Sequence, residues 1–122
     1  MKKTILAIMI VFSVIASCSK SGTSTGGSGG GGGSTVNCSG VAASFSANVN
    51  PIIQASCATN AGCHGSGSTN GPGPLLTYTQ ISGASVTIKS AVSSGTMPKT
   101  GTLTTAEKNT IICWINAGSL NN

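Results

Sequence analysis

Apolar positions divide the chain into three stretches of different character. Ile5 to Ile15 is almost wholly apolar, residues 19–36 carry little besides Ser, Gly and Thr, and from residue 37 apolar residues recur in short clusters. Three of those clusters have the spacing of helices that bury one face. The first runs through Ile52, Ile53 and Ala55 towards Cys57, and the Asn50-Pro51 pair predicts its N-cap and first helical residue, where Pro needs no amide partner. The second covers about 85–93, with Val86, Ile88 and Val92 as its apolar positions. The third is the clearest. Thr104-Thr105-Ala106-Glu107 spells a capping box, Ile111, Ile112, Trp114 and Ile115 form an apolar face, and Gly118 suits the C-terminal cap. Lys108, Asn109 and Thr110 are expected to face outward. No period-two alternation and no internal repeat interrupts this pattern, so the prediction is an all-α domain of short helices and long glycine-rich loops over residues 37–122.

That domain is thin in core material. Its large apolar residues are Phe45, Tyr78, Trp114 and a modest set of Ile, Leu and Val. A domain of this size is marginal even with a good core. The shortage points to a covalent staple, and a bound cofactor would also supply buried apolar surface.

Composition changes the reading of the first two stretches. Lys2 and Lys3 precede the apolar run, which is too short to span a bilayer and ends in the small residues Ala16 and Ser17 before Cys18. This is the layout of a secretory leader. Ile15-Ala16-Ser17-Cys18 also resembles the lipobox of bacterial lipoproteins. The resemblance implies a leader over residues 1–17, removed before Cys18, and acyl chains on Cys18 that anchor the protein to a bacterial membrane of the cell envelope. Ser19 after the Cys implies outer-membrane delivery by well-studied Gram-negative rules. More than one acyl chain on a residue gives durable anchoring. Residues 18–36, with the run Gly29 to Gly33, read as a flexible tether whose mean reach is roughly 20–25 Å.

Charge narrows the partners. The six basic residues are all Lys, Glu107 is the single acidic residue, and the formal charge is +5. Without Lys2 and Lys3, four lysines and one glutamate leave +3, with the lysines scattered. No basic stripe with interleaved aromatics is present, so nucleic acid is not an expected partner.

The candidate chemistry lies in five cysteines, one histidine and one methionine outside the leader. Cys57, Cys63, His64 and Met97 supply two thiols, an imidazole directly after the second thiol, and a soft thioether further along. Over about Ser44 to Asn122 these residues resemble the mono-haem c-type cytochromes. Cys63-His64-Gly65 looks like the end of the haem-attachment motif, Gly73-Pro74-Leu75-Leu76 like the family's Gly-Pro-x-Leu, and Gly95-Thr96-Met97-Pro98 like the loop that presents a distal Met. The resemblance implies a cytochrome c-like domain around one covalent haem c. Cys57 and Cys63 would form the thioethers, and His64 and Met97 would be the axial ligands. The Pro74 carbonyl would accept the imidazole's hydrogen bond, Leu76 would pack on the ring, and the last helix would cross the first. With Cys18, Cys57 and Cys63 so used, Cys38 and Cys113 remain, and their simplest use is a disulfide joining the domain's start to its last helix. The implied function is electron transfer with redox protein partners of the envelope, not enzymatic turnover.

The chain departs from the family at one point. The common spacing is Cys-x-x-Cys-His, whereas five residues separate Cys57 from Cys63. Asn60, Ala61 and Gly62 are expected to bulge outward, since Asn and Gly tolerate positive φ. Other readings stay open. Cys57 and Cys63 could close a second disulfide, leaving His64 exposed and Met97 a loop hydrophobe in a haem-free, disulfide-stapled envelope lipoprotein. A zinc site is weaker, because adjacent Cys63 and His64 rarely both reach one tetrahedral ion. A haem peroxidase or gas sensor usually keeps an open distal side with His or Arg, and this chain has one His and no Arg. Tyr78 and Lys89 would suit haem propionates, with surface or core roles as the simpler assignment.

Overall fold

The computed structural model describes residues 35–122. The leader, Cys18 and the tether as far as residue 34 lie outside the described residues. Four α-helices follow a π-helical turn: Phe45–Val49 is the turn, then α1 (Asn50–Ser56), α2 (Tyr78–Gly83), α3 (Ser85–Ser94) and α4 (Thr105–Asn116). No strand occurs among the described residues, so the architecture is all-α. Helix α4 packs on α3 at one side and on the π turn at the other, α1 follows the π turn, and α2 leans on α3. No helix among the described residues is long and apolar enough to cross a membrane.

The first helix begins earlier than Asn50-Pro51 predicts. Backbone amides of Val49 and Asn50 donate to carbonyls five residues back, at Ser44 and Phe45. The chain is therefore already coiled when it reaches Asn50, and Val49 occupies the N-cap. Pro51 still sits in the first α-helical turn, where its missing amide is tolerated. Asn50 is thus not the cap. Its side chain accepts from Gln54 Nε2 (3.0 Å), which also donates to the Leu75 carbonyl (2.9 Å) and so ties α1 to a distant loop.

Helix α2 has no counterpart in the apolar spacing, because six residues hold only one fully buried apolar side chain, Ile81. Its start is nonetheless a capping box: Thr77 Oγ1 accepts from the Gln80 amide while Gln80 Oε1 accepts from the Thr77 amide. Helix α3 buries Ile88 and Val92, but Val86 in its first turn is 80% exposed and does not belong to the face expected of it. Helix α4 buries Ile111, Ile112, Cys113 and Trp114, and Gly118 follows it with φ +95°, a left-handed position that suits glycine. Lys108, Asn109 and Thr110 are half-buried, not fully outward.

The core is a single cluster at the junction of the π turn, α1, α3 and α4. Trp114, 1% exposed, lies at its centre with Phe45 beside it (centroids 5.6 Å apart), and Phe45 meets Tyr78 edge-on at 5.1 Å. Polar ends are satisfied by the C-terminal segment: Trp114 Nε1 donates to the Leu120 carbonyl and the Tyr78 hydroxyl to the Ser119 carbonyl, both at 2.8 Å. Trp114 is a core residue, as its place on the apolar face predicts. A Cys38–Cys113 disulfide, with Cα atoms 5.4 Å apart, fastens the start of the domain to α4.

The α4 cap makes a direct prediction. Thr104 Oγ1 accepts from the Glu107 amide (3.2 Å), and Glu107 Oε2 accepts from the Thr104 amide and hydroxyl (both 2.8 Å). Thr104→Ala should cost about 1 kcal/mol in urea unfolding at pH 7. The same Thr104 donors hold the Glu107 carboxyl below its ordinary value of 4.5. A carboxylate with a lowered folded-state pKa stabilises above the unfolded value, and that contribution is lost as pH falls through the folded one. The gap between Thr104→Ala and the parent should therefore narrow below about pH 4.5, and modestly, since Glu107 is solvent-accessible.

Candidate functional site

The C-terminus of α1 delivers Cys57: its amide and that of Ala58 share the Ile53 carbonyl, at 2.9 Å each. The chain then leaves the helix and returns, so that the His64 amide donates to the Cys57 carbonyl (2.9 Å). Between these points Asn60, Ala61 and Gly62 are exposed, and they form the outward bulge that the long spacing predicts. Its cause differs from the expected one. Neither Asn60 nor Gly62 has positive φ. Instead Asn60 Oδ1 accepts from the amides of Gly62 (2.8 Å) and Cys63 (3.2 Å), a side-chain turn of the kind Asn makes readily.

The return path passes so close that one position demands glycine. A Cβ on Gly65 would lie 2.7–2.9 Å from the Asn60 backbone. Backbone cannot move aside as a flexible side chain does. Gly65→Ala should destabilise the domain by roughly 1–3 kcal/mol, the usual cost of overpacking, measurable as a lowered urea midpoint.

His64 is only 6% exposed. Its Nδ1 lies 3.0 Å from the Gly73 carbonyl oxygen. A carbonyl only accepts, so Nδ1 is the donor there and Nε2 is the nitrogen left for another partner. No buried side-chain nitrogen or oxygen of the described residues is sealed off without a partner, so Nε2, which has no hydrogen bond, is not fully enclosed, and His64 lines the adjoining cavity. The chain segment that supplies the carbonyl is itself held, since the Leu75 amide donates to the His64 carbonyl (2.8 Å). The residue that accepts from the imidazole is thus Gly73, not Pro74. Leu75 is the buried leucine at 2% exposure, whereas Leu76 is 41% exposed. Neither Pro74 nor Leu76 lines the cavity.

Met97 reaches the same place from α3. Gly95, at φ +72°, ends that helix, and the amides of Thr96 (3.0 Å) and Met97 (3.3 Å) both turn back to the Ala91 carbonyl. Met97 is half-buried. Cys57, Cys63, His64 and Met97 all line one cavity of about 360 Å³, within the roughly 300–1,000 Å³ of small-molecule and cofactor sites. A smaller hollow of about 110 Å³ shares Cys57, His64 and Met97 and runs on to Leu75, Ile88 and Val92. The rim of the larger cavity is polar, with Ser56, Asn70, Lys99 and Thr100.

Cys57 is buried and Cys63 half-buried, and both carry free thiols, not a second disulfide. Burial pushes the Cys57 thiol above its ordinary value, and the neighbouring Cys63 pushes the same way. Among the described residues no three His, Cys, Asp or Glu side chains are grouped to hold a metal ion. Tyr78 and Lys89 are engaged elsewhere, Lys89 Nζ donating to Asn116 Oδ1 (2.6 Å).

Sequence reasoning passed over the polar residues that shape this wall. Asn70 Nδ2 donates to the Gly62 carbonyl (2.8 Å), and Ser68 Oγ to the Cys63 carbonyl. The Asn70-Gly71 pair is a turn signal that would have marked the segment. Comparison with protein-family models, curated proteins and solved structures finds no match.

Proposed function

We propose that this chain is an envelope electron-transfer protein that carries one covalent haem c, joined through Cys57 and Cys63, with His64 and Met97 as axial ligands. The observation that carries the reading is the convergence of these four residues on one cavity. The donor set fits the group: two free thiols, an imidazole whose Nδ1 is taken by a carbonyl so that Nε2 is the nitrogen left for iron, and a half-buried thioether, all lining one cavity. A haem there would supply a one-electron ferrous–ferric couple.

The protein's own residues would set the terms of that couple. The Gly73 carbonyl holds the ring orientation of His64 and would leave Nε2 as the nitrogen that binds iron. Met97, as a soft neutral ligand, would favour the less charged state and so raise the potential. Leu75, Ile88 and Val92 give the inner hollow an apolar wall that excludes water and acts in the same direction. If His64 and Met97 both hold the iron, then with one His and no Arg in the chain peroxide chemistry would have no distal pair to use. Electron transfer to redox proteins of the envelope is the function that remains, and the expected tether from a lipidated Cys18 would keep the domain near them.

The intact mass of the mature protein tests this reading. One haem added to the polypeptide, surviving denaturation, is the expected result, together with a reduced spectrum that carbon monoxide leaves largely unchanged. A colourless protein of bare polypeptide mass would sink the reading and favour the haem-free lipoprotein. A haem protein that binds carbon monoxide at once would favour the sensor or peroxidase.

A further inference from the structure

We infer that Asn60 is the positioning residue of this site: it folds the long Cys57–Cys63 segment so that both thiols face one cavity. The inference rests on the haem reading and goes beyond it, because thiols six positions apart are not aligned by a helical turn and need another device. Asn60 provides it from both ends of the residue. Its side chain accepts from the Gly62 and Cys63 amides, and its carbonyl accepts from the amides of Cys63 (3.0 Å) and Gly65 (2.8 Å). The bend brings Gly65 against the Asn60 backbone, where no side chain fits. Asn70 and Ser68 then occupy the Gly62 and Cys63 carbonyls. Every backbone polar group around Cys63 is thereby committed, while Ala61 is turned out to solvent and both thiols stay on the cavity side.

The chemical consequence concerns the second attachment. Each thioether forms by adding a thiol across a vinyl group: a carbon–sulfur bond forms, the vinyl double bond becomes single, and the thiol hydrogen moves to the other vinyl carbon. No external oxidant or reductant is needed. Once one thiol has reacted the second addition is intramolecular, and its rate depends on how well the remaining thiol is held in place. A loop freed from Asn60 would hold Cys57 and Cys63 at varying separation, so chains joined through one thiol should accumulate.

The test uses the full-length mature protein, recovered with its haem, denatured without reductant and treated with iodoacetamide. Label is then read on the peptide bearing Cys57 and Cys63, so other cysteines do not enter. In the parent and in Asn60→Asp, which keeps the acceptor oxygen, haem-bearing chains should be unlabelled at both positions. In Asn60→Ala the labelled share of haem-bearing chains should rise at least several-fold. Asn60→Ser, with a shorter acceptor, should fall between and carries the test if the alanine variant does not fold. A fall in total haem protein with no change in labelled share is what a merely structural role predicts, and it would overturn the inference. Label on Cys57 or Cys63 in the parent's haem-bearing chains would also overturn it, and the two-thiol attachment with it, while leaving a covalently bound haem in place. A parent with no haem would take down the functional reading first.

Discussion

Cys38→Ser, or reduction of the Cys38–Cys113 disulfide, should lower the unfolding free energy by roughly 4–5 kcal/mol in the chain-entropy account of a loop this long. The bridge spans 75 residues of sequence, almost the whole described domain. Domains are stable by about 5–15 kcal/mol in all, and this one has a thin core, so the bridge accounts for a large share of its stability. The serine variant is the informative one. Cys38 is half-buried and Cys113 is 4% exposed, so replacing Cys38 removes the bridge but leaves Cys113 packed between its helix neighbours. Urea unfolding checks it. The parent's midpoint should drop by more than about 1 M when reductant is added, given slopes of roughly 1–3 kcal/mol per molar urea. The Cys38→Ser midpoint should match the reduced parent and ignore reductant. Equal midpoints for oxidised and reduced parent would show that the bridge contributes nothing.

Why this domain was partly legible in its sequence follows from where local signals and tertiary packing agree. Helix α4 carries its own start and stop, Thr104 to Glu107 and Gly118, around a dense apolar face, and it formed as expected. The beginning of α1 was misplaced because Asn50-Pro51 is a plausible local start. Which residue begins the helix was decided further back, where Phe45 and Val49 enter the core and coil the chain before the proline arrives. Helix α2 escaped the periodicity argument because a six-residue helix shows too few apolar positions to have a period; its capping box was the available signal.

The candidate site divides in the same way. Cys63 and His64 are neighbours in sequence and Met97 follows a helix-ending glycine, so their arrival at one cavity depended on few long-range unknowns. The intervening turn was ambiguous for a physical reason. Gly71-Pro72-Gly73-Pro74-Leu75-Leu76 contains two Gly-Pro pairs and two adjacent leucines, and nothing local decides which carbonyl meets the imidazole or which leucine turns inward. The register was settled by contacts from outside the segment. The Leu75 amide reaches the His64 carbonyl and Gln54 Nε2 reaches the Leu75 carbonyl, which places Leu75 inward and leaves Leu76 to solvent. The bulge of Asn60 to Gly62 was foreseen while its cause was not, because residue type reports a tolerance for positive φ more readily than a side chain's choice of partner.

Met97→Ala should produce a protein whose reduced form takes up carbon monoxide at once, where the parent's reduced spectrum barely responds. It should also lower the reduction potential by on the order of 0.1–0.3 V, within the roughly 0.8 V that axial ligands span. The chain geometry makes this a clean substitution. The Thr96 and Met97 amides, not the Met97 side chain, fasten the loop to the Ala91 carbonyl, and Gly95 ends α3 whatever side chain follows. Truncating the thioether would therefore remove the proposed ligand without releasing the segment that carries it. Because Met97 is only half-buried, the loss of stability should stay below the roughly 2–5 kcal/mol of a fully buried Met truncation. The two consequences can be separated: unfolding by urea reports packing, while carbon monoxide uptake and potential report coordination. Covalent haem should be retained, since Cys57, Cys63 and His64 are untouched. If parent and variant respond alike to carbon monoxide and share one potential, Met97 is a wall of the cavity and not a ligand, and the electron-transfer assignment loses its sixth coordination position.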